Sequence, residues 1–300
     1  MKFMVRRNAA RHFGWILACA LVTGVHAAGE LRPYVLAWEG EAQIATVLDN
    51  TRRSLTAVGF ELLGEYRPFA DAHVLVVTAP LLQKLVAEDR NAVFIAALSV
   101  AVTRVGQQVQ VSYPNPAYYA KAYRLSADVA PLVEALHASL GQVRAFGSQE
   151  GVPAQRLLKY QYSYGMEYFD DQLRLAEYAG QAQALKAIEQ GFAANPQSFE
   201  RVYRLDMPQA GVSVFGVGIL DGSGADTRVH AVLDHGPERH IAQLPYRLVV
   251  SDGRVSALHP RFRLALNFPD IKMVGAHSFM QLRDAPEAIQ AVLQRLATGG

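Results

Sequence analysis

The stretch MVGAHSFM, Met273 to Met280, places two thioethers and one imidazole within eight residues. If it is helical, Met273, His277 and Met280 fall at i, i+4 and i+7 and share one face. Soft thioethers with an imidazole suit Cu(I) better than zinc or magnesium. An apolar core stripe has the same spacing, and methionine is a common core filler. Gly275 and the upstream Phe268-Pro269-Asp270 add loop character. The expectation is core or loop packing, with copper ligation as the alternative.

Other residues in the second half invite similar questions. HAVLDHGPERH sets His230, His235 and His240 five apart. Read as a strand entering a turn, it puts His230 and His235 on opposite faces, because five is odd. The turn can then bring His235 towards His240. Asp234, Glu238 and Arg239 around them suit a solvated loop. DGSGAD, Asp221 to Asp226, has oxygen ligands but not EF-hand spacing, and reads as a glycine-rich turn between two strands. Tyr160, Tyr162 and Tyr164 recur at period two and share a face if the segment is a strand. They would form either an aromatic ligand wall or a contact that buries ring faces and leaves the hydroxyls wet.

Signatures of nucleophilic hydrolases, phosphate-binding loops and zincin helices are absent from the sequence. Acidic residues such as Asp49 and the pair Asp170-Asp171 have no spacing that marks an acid and a base. An enzyme is therefore the least supported class.

The N-terminus reads as a secretory signal. Lys2, Arg6, Arg7 and Arg11 precede an apolar run from Phe13, which ends in the small residues Ala27, Ala28 and Gly29. The run is shorter than the roughly 20 residues of a spanning helix, so no transmembrane segment is expected in the mature chain. Cys19 sits inside the apolar run rather than at its end, so cleavage near Ala27 or Ala28 is expected rather than lipidation. Losing those four basic residues from 29 leaves 25 against 27 acidic ones. This near-neutral balance lacks the electrostatic footprint of nucleic-acid binding. The single cysteine leaves too, and with it any thiolate ligand, thiol nucleophile or disulfide.

The elements that must position these side chains recur in two series. WEGEAQ (Trp38 to Gln43) and YAGQAQ (Tyr178 to Gln183) each follow a short apolar run and open a helical pattern. Ile44, Val47, Leu48 and Leu55 share one face of the first, and Leu185, Ile188 and Phe192 share one of the second. Strands are predicted from Phe60 and Phe199, then at HVLVVTAP and VSVFGVGIL. Hairpins follow at Leu98–Pro114 and Leu244–Pro260, the second with a type I′ signal at Asp252-Gly253. Helices after Ala130-Pro131 and Ala285-Pro286 close each series. The reading is an α+β protein of two similar units, each a mainly antiparallel sheet packed against one or two helices. The expected boundaries are 1–28 signal, 29–146 first unit, 147–160 linker and 161–300 second unit.

Gly59-Phe60, VLVVTAP and VSYPNPAYYAKAYRL (Val111 to Leu125) together resemble the bacterial family called domain of unknown function 302. The likeness covers residues 34–125 and, more weakly, 173–297. The first hairpin has Leu98-Ser99 where the family often has Leu-Pro, and the second has Leu244-Pro245. The resemblance implies a compact α+β domain and assigns no catalytic residues. The function expected is an exported, periplasmic or secreted, non-enzymatic binding or accessory protein whose partner is a small molecule or another periplasmic protein. The alternative is copper handling through Met273, His277 and Met280; no other cofactor is expected.

Cleavage is directly measurable. Mass spectrometry of the exported protein should place its N-terminus between residues 27 and 30, with Cys19 gone; a retained, lipidated Cys19 would contradict the reading.

Overall fold

The structure is a computed structural model that describes residues 29–300. The signal segment and Cys19 lie outside the described residues. Among these, no helix is long and apolar enough to cross a membrane.

The chain is α+β. It opens with β1 (Glu30–Leu31) and β2 (Tyr34–Gly40), then α1 (Ile44–Ala57), β3 (Glu61–Phe69), β4 (Ala72–Thr78) and α2 (Pro80–Glu88). Next come β5 (Leu98–Val105), β6 (Gln108–Pro114), α3 (Pro116–Ala122), α4 (Ala130–Leu140) and β7 (Arg144–Phe146). A crossing segment carries β8 (Val152–Pro153) and α5 (Ala154–Leu157). The second series is β9 (Leu173–Glu177), α6 (Gln181–Ala194), β10 (Phe199–Met207), β11 (Val212–Ile219), α7 (Asp226–Leu233), β12 (Tyr246–Ser251), β13 (Arg254–Ala257), α8 (Pro260–Asn267) and α9 (Ala285–Thr298).

The first sheet is antiparallel in the order β3-β4-β5-β6-β2-β7, the second in the order β10-β11-β12-β13-β9. In both, the strand that enters the unit pairs with the last strand of the hairpin, and a long helix follows it. Gln43 caps the first of these helices and Gln183 lies in the first turn of the second. Asp252 and Gly253 both have positive φ, 54° and 83°, as the hairpin signal required.

The central strands of both sheets are buried on two faces, which explains why β4 and β11 read as continuous apolar runs rather than alternating ones. All eight residues of β11 are buried. Phe215, Val217 and Ile219 pack with α6 and α9, whereas Val212 and Val214 belong to the larger core that contains the first sheet's residues. The edge strands β3 and β10 cover one another at their bulges, which fall at Leu62/Gly64 and Arg201/Tyr203. An edge left open would be a template for further pairing. Close approach demands glycine there, since a Cβ on Gly64 would lie 2.0 Å from the Val202 carbonyl oxygen.

Several expectations change. The stretch 147–160 is not a bare linker, because β8 pairs with β1 and Leu157 and Tyr160 are buried. Tyr160, Tyr162 and Tyr164 do not form a strand. Tyr160 is buried and donates to Ala265 O at 2.8 Å, while Tyr164 is fully exposed, so no aromatic wall forms. DGSGAD turns into α7 rather than into another strand.

Gly64→Ala should destabilise the protein by about 2 kcal/mol through overpacking at the β3–β10 crossing. Urea unfolding measures this. A variant as stable as wild type would show that the crossing can open at no cost.

Candidate functional site

The HAVLDHGPERH segment is neither a strand nor a solvated loop. Its first part is the end of α7, so His230 and Asp234 stand at i and i+4 on one side of the helix. Gly236 and Pro237 then reverse the chain, and His240 returns onto Asp234. The carboxylate accepts from His230 Nδ1 at 3.0 Å, from His240 Nδ1 at 2.9 Å and from the His240 backbone N–H at 3.0 Å. Arg239 donates to the Asp234 carbonyl oxygen. His230 and Asp234 are 3% and 5% exposed. The expected approach of His235 to His240 does not occur; His235 stacks on His277 instead, with centroids 3.6 Å apart.

The carboxylate can only accept, so both imidazoles carry their proton at Nδ1 when neutral. His230 Nε2 then accepts from the Gln243 amide at 3.0 Å, and His240 Nε2 keeps a free lone pair; that atom is buried without a partner. Burial by itself would raise the Asp234 pKa. The hydrogen bonds and charges of His230 and His240 outweigh it and hold the carboxyl well below the usual range. Its stabilising contribution is therefore complete at neutral pH. It is lost only as pH falls below the unfolded value of about 3.9 and on through the depressed folded value. Asp226, at the start of α7, goes the other way: burial raises its pKa despite bonds from Tyr66 Oη at 2.8 Å and the Ile219 N–H at 3.0 Å. Ionising it costs stability as pH rises from the unfolded value of about 3.9 through the raised folded value, above the Asp234 window.

Aromatic rings hold His240 in place. Its ring centroid lies 4.6 Å from that of Phe268, 5.0 Å from that of Tyr34 and 5.7 Å from that of Phe146. Gly147 passes behind it with φ +96°, where a Cβ would come within 2.7 Å of Pro33 and 3.1 Å of His240 Nε2. Only glycine fits both that φ and that gap.

The cluster divides two openings. On the His240 side lies a cleft of about 500 Å³ whose walls come from residues 145–149 and residues 233–277. Phe146, Leu233, Phe268 and Ile271 give it apolar surface, and Glu238 and Asp270 add carboxylates. Neither lysine nor arginine is among the described residues that line it. Glu238 pairs with Arg144 at 2.7 Å, and Asp270 accepts from Ser148 Oγ at 2.9 Å and the Gln149 N–H at 2.6 Å. On the His230 side a smaller opening of about 240 Å³ is bordered by Phe69, Thr103 and Arg104.

Arg263 lies beneath the cluster, buried without a carboxylate partner among the described residues. It donates to Gln243 O at 2.5 Å and its Cζ sits 4.3 Å from the centre of the Tyr246 ring.

The MVGAHSFM stretch is neither helical nor core. It forms a surface loop closed by the Lys272–Ser278 bridge, with Phe279 N–H on Lys272 O at 2.8 Å and Met280 N–H on Met273 O at 3.2 Å. Met273 and Met280 are 45% and 48% exposed. The loop departs from the helical pattern because Gly275 adopts φ +115°. His277 is exposed, and its Nδ1 donates to Val232 O at 3.0 Å. Among the described residues, no three of His, Cys, Asp and Glu converge as metal ligands.

The Asp234 cluster went unread because its signal is split. His-x-x-x-Asp at helical spacing is visible in the sequence, but the return of His240 depends on a strand reading being wrong. No family profile, curated protein or solved structure matches the chain.

Asp234→Asn should cost about 3 kcal/mol at pH 7, because it leaves two buried imidazole donors facing an amide. His240→Ala should cost less, since His230 keeps both partners. Equal losses in urea unfolding would show that Asp234 does not organise the cluster.

Proposed function

We propose that this is an exported, non-enzymatic binding or accessory protein that takes a small organic cation in the cleft beside His240. The observation that carries this is the lining of the cleft: apolar side chains and two carboxylates, Asp270 and the Arg144-paired Glu238, with no lysine or arginine among the described residues that line it. Its size lies within the range of roughly 300–1,000 Å³ of small-molecule sites. Carboxylates beside phenyl rings favour a positively charged head on an apolar body. Binding rather than chemistry is supported by His240 itself. Its Nε2 is buried without a hydrogen-bond partner beside Gly147 rather than open to solvent. The matching strand orders of the two sheets support an origin by duplication. Under this reading the cleft formed where two related units met.

Three probes of one shape test the ligand class: benzylamine, benzyl alcohol and benzoate, followed by calorimetry and by histidine side-chain NMR. Benzylamine should bind about tenfold more tightly than benzoate, a difference of about 1.4 kcal/mol, and should move the His240 resonances. Glu238→Gln should reduce that preference. Equal or tighter binding of benzoate would exclude a cationic ligand. No response at His240 to any of the three would exclude the cleft.

A further inference from the structure

We propose that the 272–280 loop is a copper(I) site in which the thioethers of Met273 and Met280 and the imidazoles of His277 and His235 close on one ion. This does not rest on the cleft reading, and it differs from the sequence expectation in adding His235 and in needing no helix.

The exposed thioethers are the first observation. Methionine stabilises a protein chiefly by filling core space, as Met207 does at 4% exposure. Met273 and Met280 bring no such gain, being 45% and 48% exposed. Their positions are nevertheless fixed: the Met280 N–H donates to Met273 O at 3.2 Å, so the two residues stand side by side across the neck of the loop. Ser278 Oγ, bonded to Gly275 O at 2.8 Å, holds the turn between them.

The second observation is the state of His277. Its Nδ1 faces a backbone carbonyl, which can only accept, so Nδ1 carries the proton and the lone pair lies on Nε2. Metal-ligating histidines are held in this way, with the far nitrogen fixed on a carbonyl or carboxylate and the near one free. The third observation is His235. It follows α7, from a different part of the chain, yet its ring centroid lies 3.6 Å from that of His277. Both rings are exposed, so packing does not force the pairing.

Ligand type selects the ion. Two thioethers and two imidazoles, without carboxylate or thiolate, suit Cu(I). Magnesium and calcium need oxygen donors, and structural zinc sites draw on cysteine, histidine and carboxylate.

The test is anaerobic competition for Cu(I) with bathocuproine disulfonate, using the full chain with Cys19→Ser to remove the thiol. Wild type should take up one equivalent. Met273→Leu, Met280→Leu, His277→Ala and His235→Ala should each weaken binding at least about tenfold, while Met166→Leu should leave it unchanged. All four side chains are exposed, so unfolding without metal should hardly move. With methyl-labelled methionine, Ag(I) should shift the resonances of Met273 and Met280 and spare those of Met166 and Met207. Failure of wild type to compete for Cu(I) would overturn the proposal. So would a Met273→Leu/Met280→Leu double variant that binds as tightly as wild type, because the thioethers would then not be ligands.

Discussion

The last turn of α8 has no helical partners for its final carbonyls, and tyrosine hydroxyls from elsewhere in the chain supply them. Tyr160 donates to Ala265 O at 2.8 Å and Tyr118 to Leu266 O at 2.9 Å. Tyr34 and Tyr119 both donate to Asn267 Oδ1, at 2.6 and 2.7 Å. A buried helix end without partners would cost several hydrogen bonds. Here Tyr118 and Tyr160 offset that cost, Tyr34 and Tyr119 hold the Asn267 side chain, and all four fill the junction with their rings. Burial raises the pKa of each hydroxyl, so all four remain donors across the physiological range.

The rest of the junction follows from that anchoring. With α8 held, Arg263 is placed under Gln243 and Tyr246, and Phe268 is placed against His240. Tyr34 is shared between the two groups: its hydroxyl fixes Asn267 and its ring packs on His240. The same contacts that join the units therefore set the orientation of the imidazole at the cleft wall. His230, Asp234 and Gln243 extend the polar chain inward, into a region where an unpaired group would be expensive. The two partnerless atoms, His240 Nε2 and Gln243 Oε1, lie at opposite ends of this chain.

Much of the fold was legible in the sequence because local rules agreed with the tertiary outcome. The two long helices had apolar stripes, the strands were β-branched runs, and Asp252-Gly253 specified its own turn. The site was less legible for a physical reason. His230 to Asp234 is a local relation, but His240 reaches Asp234 only through a Gly-Pro reversal, and Tyr118 reaches Leu266 across 148 residues. Periodicity carries no information about such pairings. MVGAHSFM shows the opposite balance, in which the loop signal of Gly275 prevailed over the helical spacing. Its spacing satisfied the helical rule, but Gly275 at positive φ and the bridge from Lys272 to Ser278 made it a loop, so its apolar residues were left in solvent.

The tyrosine caps also bear on how the molecule comes apart. Two units joined by a crossing segment would ordinarily open one at a time, each with its own stability. Here the acceptors at the α8 end follow the second sheet's hairpin, and three of the four donors, Tyr34, Tyr118 and Tyr119, come from the segment of the first sheet. Separating the two segments strands the Leu266 carbonyl and the Asn267 amide oxygen on one side and the phenols on the other. Separation therefore breaks several buried hydrogen bonds at once and couples the opening of one segment to the other. Opening of the α8 end is in this way tied to the tyrosines of the first sheet's segment, not to the helix alone.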